Sequence, residues 1–294
     1  MAAETEGADR CDWVWVDSVE KRRRAQEDLY SGEVIGLDTE YDSFRYFRER
    51  LCLLQIRNER TTYLFDPLGD WDFTFLANLF DSPSVLKIVH AGDNDIRILK
   101  RDYPFHFQGV FDTYRAASLL GCRQLALATL VQQYLGIAFD KKKRLQRSRW
   151  DQRPLTEEQI RYAVQDTALL LPLYERLQAE LDARGLCQAA ERAFAEVCHV
   201  EWTEKILDRR GHARISGYAD MSPEQQSRLK RLYRWRFEKA FQTDRAAFMI
   251  LSDADMVTLV KEADEGPLGG RVRELPLRGQ VNRYLADIIN ILNG

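Results

Sequence analysis

Short apolar runs separated by polar turns mark the first part of the chain and predict the strands of a sheet. The runs lie at residues 13–16, 33–40, 50–57, 61–65, 85–90 and 109–112. The second to fourth runs follow one another without an intervening helical pattern, which predicts an antiparallel three-stranded meander. The later runs alternate with helical patterns, as in strand–helix–strand units. The sequence therefore predicts an α/β protein whose mixed sheet carries helices on both faces.

Helical periodicity dominates after residue 113 and divides the rest of the chain. One helical region extends to residue 186 and is interrupted by a basic loop. Thr156 followed by acids begins its best-defined helix, and Ser222 followed by Pro223 begins another helix farther on. The predicted organisation is a disordered stretch at 1–10, an α/β domain at 11–186, a helical connector at 187–220 and a small all-α bundle at 221–294.

Two acids stand at the end of the strand predicted at 33–40. Asp38 and Glu40 are separated by one residue, and side chains at positions i and i+2 of a strand point to the same face. Carboxylates beside a buried strand need basic partners or a metal ion, because an uncompensated buried charge is costly. We favour the metal ion, because the rest of the chain supplies further acids and no obvious buried base for this pair.

Further candidates for the same site come from three later elements. Tyr162 and Asp166 are four residues apart on a predicted helix, so they share one face of it. Asp93 and Asp95 both lie at the start of the helix that follows the strand at 85–90, and either could join the acid pair. Asp112 also ends a strand, but an N-cap role for the next helix is the favoured interpretation.

Composition and charge narrow the class of protein. The 294 residues are 45% hydrophobic and 30% charged, with a net charge of -3, and no apolar run is long enough to cross a membrane. The first residues lack the basic start and apolar core of a signal peptide. Five cysteines, an odd number, form no CxxC pair, which predicts reduced thiols in the cytoplasm rather than a disulfide framework or a zinc site.

Two basic stretches are candidates for binding nucleic-acid phosphates. The first is the loop before the helix of Tyr162, and the second is the helix that Pro223 begins. A solvated helix face is an equal alternative for the second stretch, because charged helix surfaces are common. The candidate contact residues are Lys141, Lys142, Lys143, Arg144, Arg147, Arg149, Arg231 and Arg234, with Trp150 as a packing or stacking residue.

Three segments resemble the exonuclease motifs of the ribonuclease D family. They read IGLDTE, VHAGDNDIRIL and RPLTEEQIRYAVQDTALLLPLY, in that order along the chain. Each lies on the expected type of element, and the likeness covers most of residues 12–294. A further segment, LYRWRFEKAFQTDRAAFMILSD, resembles the helical HRDC domain that follows the nuclease domain in that family, although Ala246 replaces the usual proline. The resemblance implies a ribonuclease H-like mixed sheet followed by a small HRDC-like helical bundle.

The resemblance also implies a reaction and a set of roles. The expected activity is metal-dependent 3′–5′ exoribonuclease action that releases nucleoside 5′-monophosphates, with single-stranded 3′ ends of RNA as partner and tRNA precursors among the candidate substrates. Family spacing selects Asp95 over Asp93. Asp38, Glu40, Asp95 and Asp166 would bind two divalent ions, Mg²⁺ or Mn²⁺, and Tyr162 would orient the attacking water. The alternatives are a dinucleotide-specific nanoRNase, a DNA exonuclease of the same branch, or a non-catalytic nucleic-acid-binding scaffold.

Overall fold

Six strands form one mixed sheet in the computed structural model, which describes residues 12–138, 143–266, 277 and 281–293. The strands are β1 Asp12–Val16, β2 Val34–Asp42, β3 Arg50–Arg57, β4 Thr61–Phe65, β5 Leu86–Val89 and β6 Val110–Asp112. Their order across the sheet is β1-β4-β3-β2-β5-β6. Strand β4 runs parallel to β1 and antiparallel to β3, whereas β2, β5 and β6 run parallel to one another. The mixed sheet predicted from the apolar runs is confirmed.

Helices cover the sheet and form the C-terminal part of the chain. The first nine are α1 Val19–Tyr30, α2 Ala77–Asp81, α3 Asp93–Asp102, α4 Thr113–Leu119, α5 Leu127–Leu135, α6 Lys143–Gln146, α7 Glu157–Ala168, α8 Leu170–Ala183 and α9 Cys187–Cys198. The others described are α10 Pro223–Thr243, α11 Ala247–Ile250, α12 Asp253–Glu262 and α13 Leu285–Asn293. Within the described residues, none of the helices is long and apolar enough to cross a membrane.

Three helices begin directly after the capping residues that the sequence predicted for them. Ser18 accepts a hydrogen bond from the Lys21 amide at 3.2 Å at the start of α1. Thr156 and Ser222 form capping boxes at the starts of α7 and α10. Each side chain accepts from an amide that has no partner within its helix, so the helix begins at a defined residue.

The residues form two compact units whose limits differ from the expected domain limits. The first unit contains the described residues up to Asp42 and Leu51–Thr203, and the second contains Ser43–Arg50 and the described residues from Glu204 onward. Helix α9, expected in a connector, packs its buried Phe194 in the first unit, where the Phe194 ring lies 4.5 Å from that of Phe111. The disorder expected at 1–10 lies outside the described residues.

Strand β2 is buried on both faces in the first unit. Ile35 and Leu37 belong to a core that also contains Ala25 and Leu29 of α1. On the opposite face, Gly36 faces α7 and α8; an added Cβ there would lie 3.3 Å from the Thr167 oxygen and 3.1 Å from Leu171 Cδ1. The absence of a side chain therefore lets the two helices lie close to this strand.

The second unit has a separate helical core. Leu229 and Leu232 of α10 pack there with Leu259 of α12 and Ile288 of α13. Phe47, from the segment between β2 and β3, joins this core, and its ring lies 5.2 Å from the Phe237 ring. The second unit is therefore built from two separate parts of the sequence.

Candidate active site

Three carboxylates come together beside β2. The strand was expected to end at residue 40, but it continues to Asp42, so Asp38 and Glu40 lie within the strand and not at its end. Oxygen atoms of Asp38, Glu40 and Asp166 lie within 4.8 Å of one another. Glu40 and Asp166 are buried, and Asp38 is partly exposed. Asp38 and Glu40 share a face of the strand because they are two residues apart. The structure thus brings together three of the four acids proposed from the sequence as metal ligands.

The position of Asp166 follows from how α7 begins and where it crosses β2. The Thr156 hydroxyl accepts from the Gln159 amide at 3.2 Å, and Gln159 Oε1 accepts from the Thr156 amide at 3.0 Å. The last turn of α7 lies against Gly36. Since Gly36 and Asp38 are two residues apart in the strand, α7 lies on the face of β2 that carries the acid pair.

Asp95, the fourth proposed metal ligand, is hydrogen-bonded to β2 through a residue that is not part of the cluster. The Thr39 hydroxyl donates a hydrogen bond to Asp95 Oδ1, and Thr39 lies between Asp38 and Glu40 in the sequence. Asp95 lies outside the cluster of three and is buried in the first turn of α3. Burial raises its pKa to about 6, although the Thr39 hydrogen bond acts in the opposite direction.

Tyr162 lies beside the cluster, with its ring in an apolar group that includes Trp150. The centroids of these two rings are 6.0 Å apart, and both side chains are buried. Burial raises the pKa of the Tyr162 hydroxyl, and the charges of Asp166, Glu40 and Asp38 raise it further. The hydroxyl is therefore protonated near three carboxylates. A protonated phenol can orient a water molecule but is a poor proton acceptor.

The donor atoms of the cluster fit a hard divalent cation. Asp38, Glu40 and Asp166 offer oxygen atoms, and oxygen is the ligand that Mg²⁺ and Mn²⁺ prefer. Ionised carboxylates this close repel one another, and a bound cation removes that cost.

Asp93 and Asp112, the two acids that were alternatives for the metal site, bind other groups of the protein. Asp93 accepts from the Arg115 guanidinium at 2.9 Å. Asp112 caps α4: its carboxylate accepts from the amides of Tyr114 at 2.8 Å and Arg115 at 3.2 Å. It also accepts from the amides of Ala91 and Gly92, at 3.1 and 3.0 Å, in the turn before α3. The N-cap role predicted for Asp112 is confirmed.

The basic loop is partly described. Lys141, Lys142 and the side chain of Lys143 lie outside the described residues. Arg144 forms two 2.7 Å hydrogen bonds with the Glu158 carboxylate, and Arg149 forms an ion pair with Asp151 at 2.8 Å. Arg147 is exposed. Trp150 is 1% exposed, so it is a packing residue.

The basic helix of the second unit presents some of its charges to solvent. Arg231 and Arg234 are exposed, and Arg234 pairs with Glu238 at 3.0 Å. Arg236 is buried and binds Asp253 at 2.6 Å. A nucleic-acid contact by Arg231 and Arg234 remains a prediction.

Sequence reasoning missed the contacts of two polar residues, Gln146 and Arg153. The Gln146 side chain lowers the pKa of the Tyr162 hydroxyl, against the larger effect of burial. Arg153 binds Asp66 at 2.6 and 2.5 Å and also donates to the Cys52 carbonyl. Nothing in the spacing of these residues indicates such contacts, because each partner is distant in sequence.

Comparison with known proteins agrees with the resemblance found in the three sequence motifs. A family model described as "3′-5′ exonuclease" matches residues 13–182. The exosome complex component 10 homolog of Drosophila melanogaster is 31% identical over 253 residues, which cover 84% of this chain and 28% of that protein. The chain spans between 28% and 38% of the length of the first curated relatives it matches.

Two solved structures share the fold. The catalytic core of RRP6 from Trypanosoma brucei has a TM-score of 0.88 at 22% identity, covering 96% of this chain and 79% of that chain. Escherichia coli RNase D, described as an exoribonuclease involved in structured RNA processing, has a TM-score of 0.70 at 24% identity, covering 96% of this chain and 74% of that chain. At these identities the likeness concerns the fold.

Proposed function

Because the chain belongs to the family of 3′–5′ exonucleases, we propose that it removes nucleoside 5′-monophosphates one at a time from RNA 3′ ends. The resemblance to ribonuclease D read from the three motifs is confirmed. The observation that carries the proposal is the cluster of Asp38, Glu40 and Asp166 within 4.8 Å, with the Tyr162 hydroxyl beside it. RNA is the proposed substrate because the named relatives include exosome components and an exoribonuclease.

The proposed metal ligands are the four acids. Asp38, Glu40 and Asp166 would hold one divalent ion, and Asp95 together with Asp38 would hold a second. Bound Mg²⁺ or Mn²⁺ would supply Lewis-acid chemistry and neutralise charge on the phosphodiester. The carboxylates on β2 and α7 already lie within 4.8 Å of one another, so these three ligands would need little rearrangement to bind.

Tyr162 is proposed to orient the attacking water. Its ring is held by packing against Trp150, and its hydroxyl is protonated and near the carboxylates. A protonated hydroxyl can hold the water by a hydrogen bond and fix its direction of approach to phosphorus.

The second unit is proposed to be an HRDC-like module that contacts RNA away from its 3′ end through Arg231 and Arg234. Deleting this unit would remove the partners of Phe47, so point variants test the proposal better. Replacing both arginines with alanine should weaken binding to a long RNA and flatten its salt dependence by roughly 0.7 units of slope for each lost contact. An unchanged slope in a binding titration across a salt series would contradict this role.

The cytoplasm is proposed as the location. Among the described residues, Cys52, Cys122, Cys187 and Cys198 form no disulfide, as in proteins of a reducing compartment. Cell fractionation or imaging of the tagged protein would test this.

The decisive experiment compares three substrates labelled to report removal of the 3′ residue: an RNA, a DNA of the same sequence and a dinucleotide. Each is incubated with Mg²⁺, with Mn²⁺ or with EDTA, and the products are resolved by size. We expect stepwise shortening of the RNA with either metal ion and none with EDTA. If the protein cleaves DNA or the dinucleotide in preference to RNA, that substrate class takes the place of RNA in the proposal. If it binds the substrates without cleaving them, it is a non-catalytic scaffold.

A further inference from the structure

Three phenylalanines of the second unit are exposed to solvent on or near the segment 43–50. Phe44 is 62% exposed, Phe248 47% and Phe241 42%, and no other phenylalanine of the described residues is exposed. Phenylalanine is among the residues most often buried. Single exposed apolar residues are common on protein surfaces, whereas exposed apolar residues grouped together mark interaction sites. The grouping of these rings therefore decides whether they indicate a site.

The exposed rings belong to one part of the surface, although they come from distant parts of the sequence. The ring centroids of Phe44 and Phe248 are 4.8 Å apart, and the ring planes are inclined by 47°. The Phe241 ring lies 5.7 Å from that of Phe47, a buried residue three positions after Phe44. Phe44 and Phe248 thus form an exposed aromatic pair, and Phe241 lies beside the same segment.

Two hydrogen bonds to the backbone of this segment hold it against the connection between α10 and α11. The Arg45 carbonyl accepts from the Ala246 amide at 3.0 Å, and the Arg48 amide donates to Asp244 Oδ1 at 3.0 Å. Asp244 and Ala246 lie between the two helices, and Phe248 is in α11. The chain on both sides of the aromatic pair is therefore fixed. A surface that is ordered before binding loses less conformational freedom when it binds.

Arginine side chains accompany these rings. The guanidinium carbon of Arg45 lies 5.8 Å from the centre of the Phe44 ring, and that of Arg48 lies 4.5 Å from the centre of the Phe241 ring. Arg245, next to Ala246, is exposed. Unpaired nucleic-acid bases stack on aromatic rings and on guanidinium planes, and arginine also pairs with phosphate. The combination of groups fits a single-stranded nucleic acid.

The charge of this surface favours a nucleic acid over an apolar protein partner. Residues 43–50 contain three arginines and one acid, whereas the whole chain has a net charge of -3. The acid, Glu49, pairs with Lys205 at 3.5 Å. Covering the arginines with an apolar partner would be costly, whereas a polyanion supplies both charge and planar bases. We propose that Phe44 and Phe248, together with Arg45, form a stacking surface for unpaired bases of single-stranded RNA. The choice of RNA rests on the proposed exonuclease function.

Titration of the full chain with a labelled single-stranded RNA tests this proposal. EDTA is present, because the proposed cleavage needs a metal ion. Phe44→Ala and Phe248→Ala should each raise Kd by about 5-fold or more, the effect of losing one stacked base. Trp13→Ala is the matched control, because Trp13 is an exposed aromatic residue of the first unit and should leave Kd unchanged. Wild-type affinity in both phenylalanine variants would overturn the proposal in favour of a protein partner.

An RNA of the same length with abasic residues tests whether the contact is made to bases. This RNA keeps its phosphates, so the wild type and Phe44→Ala should bind it with equal affinity. On the normal RNA, Phe44→Tyr keeps an aromatic ring and should bind like the wild type, whereas Phe44→Leu should bind as weakly as Phe44→Ala. An equal loss for Phe44→Ala on both RNAs would overturn the stacking role. Melting temperatures establish that each variant is folded.

A salt series separates this surface from the proposed phosphate contacts of Arg231 and Arg234. Loss of a stacked base releases no counterions, so Phe44→Ala should raise Kd by the same factor at every salt concentration. A flattened salt dependence would contradict stacking. If Phe44→Ala weakens binding but the wild type cleaves no substrate, the stacking surface stands and the exonuclease function fails. If the wild type cleaves RNA and both phenylalanine variants bind it normally, the function stands and the surface fails.

Discussion

Acids on two parallel strands of the sheet, β6 and β2, show opposite ways of accommodating negative charge. Asp112, at the end of β6, accepts hydrogen bonds from four backbone amides at 2.8 to 3.2 Å. On β2 and the adjacent helix α7, the carboxylates of Asp38, Glu40 and Asp166 lie within 4.8 Å of one another. The first charge is stabilised by the protein backbone, and the second group gathers like charges that a cation would stabilise.

The comparison shows why the role of an acid on a strand cannot be predicted from its position in the sequence alone. Asp112 holds two chain segments together, the start of α4 and the turn before α3, so its removal should affect stability. The acids of the cluster repel one another in the protein without metal, so removal of one should affect activity far more than stability. Four predictions test this contrast.

The largest effect is expected for Asp38→Ala. Cleavage of labelled RNA should fall by about 10³-fold or more, because the charge stabilisation that a metal ion supplies is worth several kcal/mol and each 1.4 kcal/mol is tenfold. In EDTA, the melting temperature should stay the same or rise, since repulsion in the cluster is relieved. Asp93→Asn is the matched control and should remain active. More than about a hundredth of wild-type activity in Asp38→Ala would exclude the proposed metal site.

Tyr162→Phe should lower the rate by roughly 10²–10⁴, the range for positioned proton-transfer groups. The ring and its packing against Trp150 are retained, so the free energy of unfolding should change little. Tyr63→Phe is an instructive control, because the Tyr63 hydroxyl donates to Asp28 at 2.5 Å in a different part of the sheet. That variant should lose stability and keep activity. The reverse pattern would make Tyr162 a packing residue.

Asp112→Ala should lower the free energy of unfolding by about 3 kcal/mol, because four amides lose a charged acceptor and the α4 cap is lost. Chemical denaturation measures this directly. Asp112→Asn keeps one accepting oxygen and should lie between the wild type and the alanine variant. A loss below about 0.5 kcal/mol, typical of an exposed site, would contradict the structural role.

The smallest effect concerns Lys87, a buried cation whose Nζ donates to the carbonyls of Ser82 and Val85 at 2.7 Å. Burial lowers its pKa from 10.5 to about 8. The unfolded chain therefore binds more protons between these values, and stability should rise with pH there. The free energy of unfolding of the wild type minus that of Lys87→Met should increase by about 2 kcal/mol from neutral pH to about pH 9.5. A constant difference would show that the backbone carbonyls compensate the charge fully.

Local sequence patterns predicted much of the first unit. The alternation in β2 placed Asp38 and Glu40 on one face, and the four-residue spacing placed Tyr162 and Asp166 on one face of α7. Capping signals such as Thr156 marked helix starts correctly. These features depend on residues within one or two turns of each other, so the sequence contains all the information they need.

The sequence by itself therefore determined the elements, their faces and, through three motifs in order, the family of 3′–5′ exonucleases. The tertiary structure decided which distant residues meet: Thr39 with Asp95, Asp112 with the turn before α3, and Phe47 with the core of the second unit. Such contacts arise where packing brings separate segments together, and no local periodicity records them.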